Sequence, residues 1–360
     1  MTTIQDVAKH AAVSVSTVSN VLNGRADRMR PQTLARVNAA IEALQFRPSK
    51  LAQQLKTGQT PLIGLLVPSM TNPMYGYIAR EIEAVAQERF GYRLLLGSTY
   101  RDPRKENAFF DDLLSHGVRR VIVISSLADE RHFESAAERG MVVVSYDRGP
   151  TPGQRSKVAH VMPDNFEVAR QATAHLIEHG HRRLAFATVA GMTMGRRAKI
   201  DGFFAAAEAA GLRASAQVID GGPLDEYGEA VIGEAGRTTA LMIAGTARRP
   251  TGIVALNDLM AFGLMAGLRE SGLTVPADVS VVGLDGHFLS ALSNPMLTTV
   301  QLPVPEMARA MVERVMNPRS DADADEAGSV FAPTRLIVRE SVAAPPTVVR
   351  KAGGPKRSVR

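Results

Sequence analysis

The 360-residue chain predicts an α/β protein: an N-terminal three-helix helix-turn-helix head with a hinge, then two doubly wound parallel-sheet lobes. Three observations predict it. Short amphipathic helical patterns fill residues 1–47. Nine continuous apolar runs follow Pro61 and alternate with amphipathic segments. Charge divides the same way: residues 1–60 hold eight basic and three acidic side chains, the last twenty hold five and none, and 61–340 hold 29 and 33. A basic head on a slightly acidic body points to a polyanionic partner for the head.

Composition narrows the classes further. Hydrophobic residues at 45% are ample for two or three packed domains, and the absence of Cys excludes disulfide scaffolds, thiolate zinc sites and Cys nucleophiles. The start MTTIQDVAKH lacks the basic-then-apolar pattern of a secretion signal, and no apolar run reaches membrane-spanning length. A cytoplasmic, nucleoid-associated protein with no membrane partner is expected.

In the head, Thr3 can cap a first helix, with Asp6 three residues on as its reciprocal partner. Val7, Ala8 and Ala11 form its apolar face. Ala11, Ala12 and Val13 turn the chain, and Ser14 can cap a second helix over Val15–Leu22 that stops near Asn23 and Gly24. A third helix follows Pro31, with Leu34, Val37, Ile41 and Leu44 as its stripe. In VSVSTVSNVLNG, Val18 and Leu22 face inward. Ser14, Val15, Ser16, Thr17, Ser19 and Asn20 lie on or beside the outward N-terminal end, the part of a helix-turn-helix that enters the major groove. Small hydroxyls suit phosphates and base edges, Asn can pair with adenine, and Val can meet a thymine methyl. Thr3 and Asn23 complete the candidate DNA-contacting set on the head.

The linker, residues 48–60, reads RPSKLAQQLKTGQTP with its flanks. Pro48 stops the third helix and Ser49 can cap a turn ending near Lys56. So short a helix is marginal alone in water. Leu51 and Leu55 then either dock on the body or wait for a partner.

The body, residues 61–340, contains LIGLLVPS, YRLLLGS, RVIVISS, MVVVSYD, AHVMPD, RLAFATV, QVIDG, GIVALND and VSVVGLD, separated by helical stretches. Continuous apolar strands alternating with helices mean parallel sheets, and this many units mean two. Ligands bind such sheets at the carboxyl ends of strands. Those ends carry Ser69 and Asn72, Asp147 and Arg148, Asp164 and Asn165, Asn257 and Asp258, and Asp285. Five polar strand ends facing one cleft describe a receptor for a small polar molecule. The acidic stretch RSDADADEAGS reads as a solvated loop before the last strand, and the basic tail over 341–360 as disordered.

TIQDVAKHAAVSVSTVSNVLNG resembles the N-terminal signature of the lactose-repressor/galactose-repressor family of bacterial transcription regulators. NPMYGYIAREIE, VVVSYDRG, HLIEHGHRRLAFA, ALNDLMAFGLMAGLRESGLTVPADVSVVGLD and PTRLIVRES look like blocks of the same family. The resemblance implies lobes of the periplasmic-binding-protein-like type. It implies that Ser14, Thr17 and Ser19 hold the DNA backbone while Val15, Ser16 and Asn20 read bases. It makes the linker a hinge helix that orders on operator DNA beside its symmetry mate, with Leu55 wedged in the minor groove and Lys50 and Lys56 at flanking phosphates. Effector contacts fall on Met74, Tyr75, Asp147, Arg148, Lys199, Asn257 and Asp285, and Ser69, Asn72 and Arg196 join them as candidates.

Two departures stand out. The family usually has Arg three residues before a Gly-aromatic pair, where this chain has Lys199 before Gly202 and Phe203. Arg grips bidentately and Lys as a point charge. Gly286 and His287 follow VGLD, where a second Asp or Asn is common.

His175, His179 and His181 have a metal-like spacing, but Gly180 ends their helix and turns His181 away, so no metal site is expected. No GxGxxG, Walker loop or GxSxG occurs, so no cofactor and no enzyme activity are expected. A transporter's solute-binding protein would share the body but lack the head. A sugar-modifying enzyme would need an acid/base pair that the sequence does not offer. The expectation is a DNA-binding regulator, a repressor, responsive to a sugar, sugar acid, sugar phosphate or nucleoside-like effector. Its partners are a near-palindromic double-stranded operator and a second copy, in a homodimer rather than a higher oligomer.

Overall fold

The computed structural model describes residues 2–22, 25, 29–46, 60–100, 102–125, 129, 131–146, 156–191, 193–222, 229–318 and 333–347. The chain divides into two compact units, residues 1–60 and 61–360.

The first unit contains α1 (Ile4–His10), α2 (Val15–Leu22) and α3 (Pro31–Ala43). The capping box forms as the residues dictate: Thr3 Oγ1 accepts from the Asp6 N–H at 3.3 Å, and the Thr3 N–H donates to Asp6 Oδ2 at 2.8 Å. Ala12, at φ 49°, reverses the chain after α1, and the Val13 N–H closes the turn on the Ala8 carbonyl at 3.0 Å. A miniature core of Val7, Ala8, Ala11, Val18, Val37, Ala40 and Phe46 holds the three helices together. Of the expected α3 stripe only Val37 is fully buried; Leu34, Ile41 and Leu44 are half-buried because the unit is too small to cover them.

The second unit has two sheets. The first lobe holds β1 (Leu62–Val67), β2 (Arg93–Ser98), β3 (Arg120–Ile124), β4 (Val142–Tyr146) and β5 (Ala159–Val161), all parallel, in the order β2-β1-β3-β4-β5. Its helices include α4 (Pro73–Phe90), α5 (Pro103–Ser115) and α6 (Arg131–Glu138). The second lobe holds β6 (Leu184–Thr188), β7 (Ala216–Asp220), β8 (Gly252–Ala255), β9 (Ser280–Asp285), β10 (Thr298–Gln301) and β11 (Arg335–Ile337), in the order β11-β10-β9-β8-β6-β7. Its helices are α7 (Asn165–Glu178), α8 (Met194–Ala209), α9 (Glu229–Ala244) and α10 (Asp258–Glu270).

Two features were not evident from apolar runs. Strand β11 is antiparallel to β10. Helix α11 (Val304–Met316) follows β10 of the second sheet yet packs on α4 and on β3, β4 and β5 of the first. The chain thus passes from the first lobe to the second after β5, back after β10, and returns for β11.

Glycine permits the closest helix contacts. A Cβ on Gly263 would lie 1.8 Å from the Gly233 carbonyl oxygen, so α9 and α10 touch backbone to backbone. A Cβ on Gly202 would lie 2.0 Å from the Phe166 carbonyl oxygen, which explains the glycine of the Gly-aromatic pair on α8.

Candidate functional site

Two sites are built on this frame. On the first unit, the N-terminal end of α2 is open to solvent. Ser14 caps it, accepting from the Thr17 N–H at 3.2 Å, and its hydroxyl also meets Ser16 Oγ at 2.7 Å and Thr17 Oγ1 at 2.8 Å. Ser14, Val15, Ser16 and Asn20 are exposed, Thr17 and Ser19 half-buried, and Val18 fully buried beneath them. Val15, an apolar side chain, is 42% exposed on this face. The first turn of α2 carries no acidic residue, so its partial positive charge is uncancelled. Free backbone N–H groups, small hydroxyls, one amide and one exposed methyl pair together suit phosphates and base edges. Thr3 is committed to its box with Asp6. Asn23, Lys50, Leu55 and Lys56 lie outside the described residues.

On the second unit, a cavity of about 110 Å³ opens where the carboxyl ends of the two sheets face each other. From the first lobe, the β1–α4 junction supplies Asn72, Met74 and Tyr75, and the end of β4 supplies Tyr146. From the second lobe come Asn165, Arg196, Lys199, Asn257 and Asp285. The amides are fixed by helix caps: Asn72 Oδ1 accepts from the Met74 N–H and Asn257 Oδ1 from the Met260 N–H, both at 2.9 Å. Asp164 caps α7 likewise and places Asn165 at the rim.

Lys199 donates from Nζ to the Leu256 carbonyl at 3.2 Å, at the end of β8. Arg196 is only 8% exposed, and its Nη1 donates to the Val189 carbonyl at 2.8 Å, to Ala190 at 2.9 Å and to Gly191. It therefore shapes the β6–α8 loop more than it offers a free charge. Ser69 is buried against Thr71, at 2.9 Å, and does not line the cavity. Asp147 and Arg148 lie outside the described residues.

Asp258 holds the second lobe's contribution in place. Its Oδ2 accepts from the His287 N–H at 2.9 Å and its Oδ1 from the Thr299 hydroxyl at 2.6 Å. Thr299 in turn lies 3.1 Å from the Gly286 N–H. One carboxyl thus ties α10, the Asp285–His287 turn and β10 together. Gly283 leaves it room, since a Cβ there would lie 2.1 Å from Asp258 Oδ1. Burial pushes the Asp258 carboxyl up to about 6, against its hydrogen bonds from Thr299 and His287. Gly286, at φ +71°, makes the turn, and a Cβ there would strike Gln301.

His287 is buried; its Nδ1 accepts from the Leu289 N–H at 3.1 Å. Burial holds the ring below the usual histidine range, partly offset by the neighbouring Pro73 carbonyl. Sequence reasoning missed Tyr146 and the apolar walls Ile78, Val189, Ile232 and Leu256, although Tyr146 directly precedes Asp147 in VVVSYD. Among the described residues, no group of His, Asp or Glu is arranged to hold a metal ion, and no helix is long and apolar enough to cross a membrane. His181 indeed turns away from His175 and His179, bonding Thr251 and the Ala343 carbonyl.

Comparison with known proteins identifies the family. Residues 3–49 match the family model "Bacterial regulatory proteins, lacI family" and residues 173–342 match "Periplasmic binding protein-like domain". The chain is 31% identical over 347 residues to the HTH-type transcriptional regulator GalR of Escherichia coli (strain K12), covering 96% of this chain and 97% of that one. It is 30% identical over 345 residues to the HTH-type transcriptional repressor PurR of Aliivibrio fischeri (strain MJ11), covering 95% and 98%. Its fold is similar to the lac repressor dimer bound to operator and the anti-inducer ONPF, at TM-score 0.79 and 23% identity over 95% of this chain and 99% of that one. It is also similar to the transcriptional regulator CelR in complex with cellobiose, at TM-score 0.64 and 27% identity over 95% and 100%. Relatives this similar, matched along nearly the whole chain, make the protein a member of the lacI family of bacterial DNA-binding transcriptional regulators.

Proposed function

We propose that the protein is a repressor whose operator affinity is set by a small polar effector bound between its two lobes. The observation that carries this reading is the cleft, where Asn72 and Tyr75 of one lobe face Lys199, Asn257 and Asp285 of the other. A ligand gripping both sides favours one angle between lobes, and it shifts DNA affinity only as far as it prefers that angle. Asp285 accepts from paired hydroxyls. Lys199, whose Nζ uses one donor on Leu256, meets a carboxylate or phosphate. Sugar acids and sugar phosphates therefore rank beside neutral sugars and nucleosides. The cellobiose complex of CelR supports a small polar ligand as the class.

The same reading makes the protein a homodimer on a near-palindromic operator with a kinkable central pyrimidine–purine step. Leu95 and Leu96 on the edge strand β2 are 40% and 43% exposed, and a bare apolar edge favours a partner. Leu55 wedging the minor groove, flanked by Lys50 and Lys56, completes the proposal for the hinge. A thermal-shift screen of sugars, sugar acids, sugar phosphates and nucleosides tests the effector class: hits confined to one class, each altering operator affinity, support it. A ligand that raises the melting temperature without altering operator affinity contradicts regulation through this cleft.

A further inference from the structure

We propose that Asp258 is a proton-operated latch on the effector cleft: its carboxylate holds the turn that carries Asp285, and protonation releases that turn. Asp258 is the first residue of α10, is 1% exposed and does not itself line the effector cavity. It shares a small hollow with Asn72, Met74 and Asp285, three residues that do line it. A carboxylate in the first turn of a helix also lies where the helix dipole favours negative charge.

Three successive backbone amides of the turn converge on this one carboxyl. The His287 N–H donates directly to Oδ2 at 2.9 Å. The Asp285 and Gly286 N–H groups donate to Thr299 Oγ1, at 3.3 Å and 3.1 Å. With both lone pairs engaged, the Thr299 hydroxyl has only its hydrogen left, and it donates this to Asp258 Oδ1 at 2.6 Å. Each carboxylate oxygen therefore faces a donor. A proton on Oδ1 meets the Thr299 hydrogen, and a proton on Oδ2 meets the His287 N–H. The acid cannot keep both bonds, so protonation frees either the His287 amide or one of the two amides that Thr299 collects.

The charge balance places the release in an accessible range. Burial favours the acid and lifts the group to about 6, against the two hydrogen bonds and the positive charges of Arg339, beyond β11, and Lys199, on α8. Asp285 at the end of β9 is the acidic neighbour in the same hollow, and the buried His287 ring lies in the turn itself. On α9, Glu234 and Arg237 pair with each other and with Glu270 at the far end of α10. The latch is therefore closed above about pH 6 and opens as pH falls through that value. On the proposed reading that Asp285 contacts the effector, ligand and proton compete, because the ligand needs the closed turn and the closed turn excludes the proton. Effector affinity then falls by up to about tenfold per pH unit below the midpoint.

The test is hydrogen–deuterium exchange of the full-length protein, without ligand or DNA, followed on peptides covering residues 283–292. It runs from about pH 8 to about pH 5, corrected for the intrinsic pH dependence of exchange. Protection of the turn is expected to fall at least tenfold, with its midpoint near pH 6. Asp258→Asn keeps the side chain's size but not its charge, and is expected to exchange fast throughout with no such step. Thr299→Val removes one bond that favours the carboxylate, so the step in the His287 amide moves to higher pH, which a loss of packing alone does not produce. Thr299→Ser keeps the hydroxyl and restores the step to its wild-type position. Wild-type protection that stays flat across the range overturns the proposal whatever the variants do. A step that persists in Asp258→Asn also overturns it, assigning the titration to His287. No effector enters the measurement, so its failure is distinct from failure of the effector reading, which is read from operator affinity.

Discussion

His181 lies at the amino ends of the second sheet's strands, away from the cleft, and is fully buried. Its Nε2 donates to the Ala343 carbonyl and its Nδ1 accepts from the Thr251 hydroxyl, both at 3.0 Å, so the neutral ring clamps the C-terminal segment to β8. Burial lowers its pKa from 6.5 to about 4. The unfolded chain takes up the proton first, so the stabilisation is complete above pH 6.5 and drains away as pH falls to about 4. That loss is on the order of 2–3 kcal/mol, a fall of several degrees in Tm. His181→Gln should flatten the Tm profile between those pH values; parallel profiles for the two proteins would refute the role. Such roles are hidden in the sequence, where His181 reads as the third member of a metal-like spacing that Gly180 turns away. Asp258 was visible as a polar strand end, but its clamp depends on Thr299 and His287, far along the chain. Arg196 looked like a cleft cation, yet three loop carbonyls engage it.

Helices and strands were more legible, because apolar period and cap chemistry are local. Thr3 with Asp6 caps α1 as its spacing suggests, while Asn72, Asp164 and Asn257, read from sequence as polar strand ends, cap the helices that follow. What spacing cannot reveal is which sheet a helix serves: the stripe of α11 is plain, its place on the first lobe is not. On the proposed reading, DNA recognition belongs to α2. Asn20→Ala removes an exposed amide and should cost roughly 1–3 kcal/mol on operator while sparing random DNA. Competition binding on both sequences checks it, and equal losses would deny Asn20 a base-reading role. Packing belongs to α9 and α10. Gly263→Ala gains helix propensity but overlaps the Gly233 carbonyl, so a net loss of about 2–3 kcal/mol is expected. Denaturant unfolding decides it, an unchanged midpoint being the contrary result.

At the scale of the whole molecule, the two lobes are joined by three passages of the chain and meet at a cleft of polar strand ends. On the proposed reading, this arrangement converts ligand binding into a preferred lobe angle. The central claim is that this preference governs DNA affinity, and Asp285 tests it most directly. It lines the cleft at the end of β9, so on the proposed reading its loss removes a ligand contact without altering any residue of the head. Operator affinity is to be measured for full-length wild type and Asp285→Ala, with and without a ligand found by thermal shift. The account predicts that wild-type affinity changes with ligand, whereas Asp285→Ala binds operator as wild type does without ligand and no longer responds. A variant that keeps both operator binding and the full ligand response would contradict it.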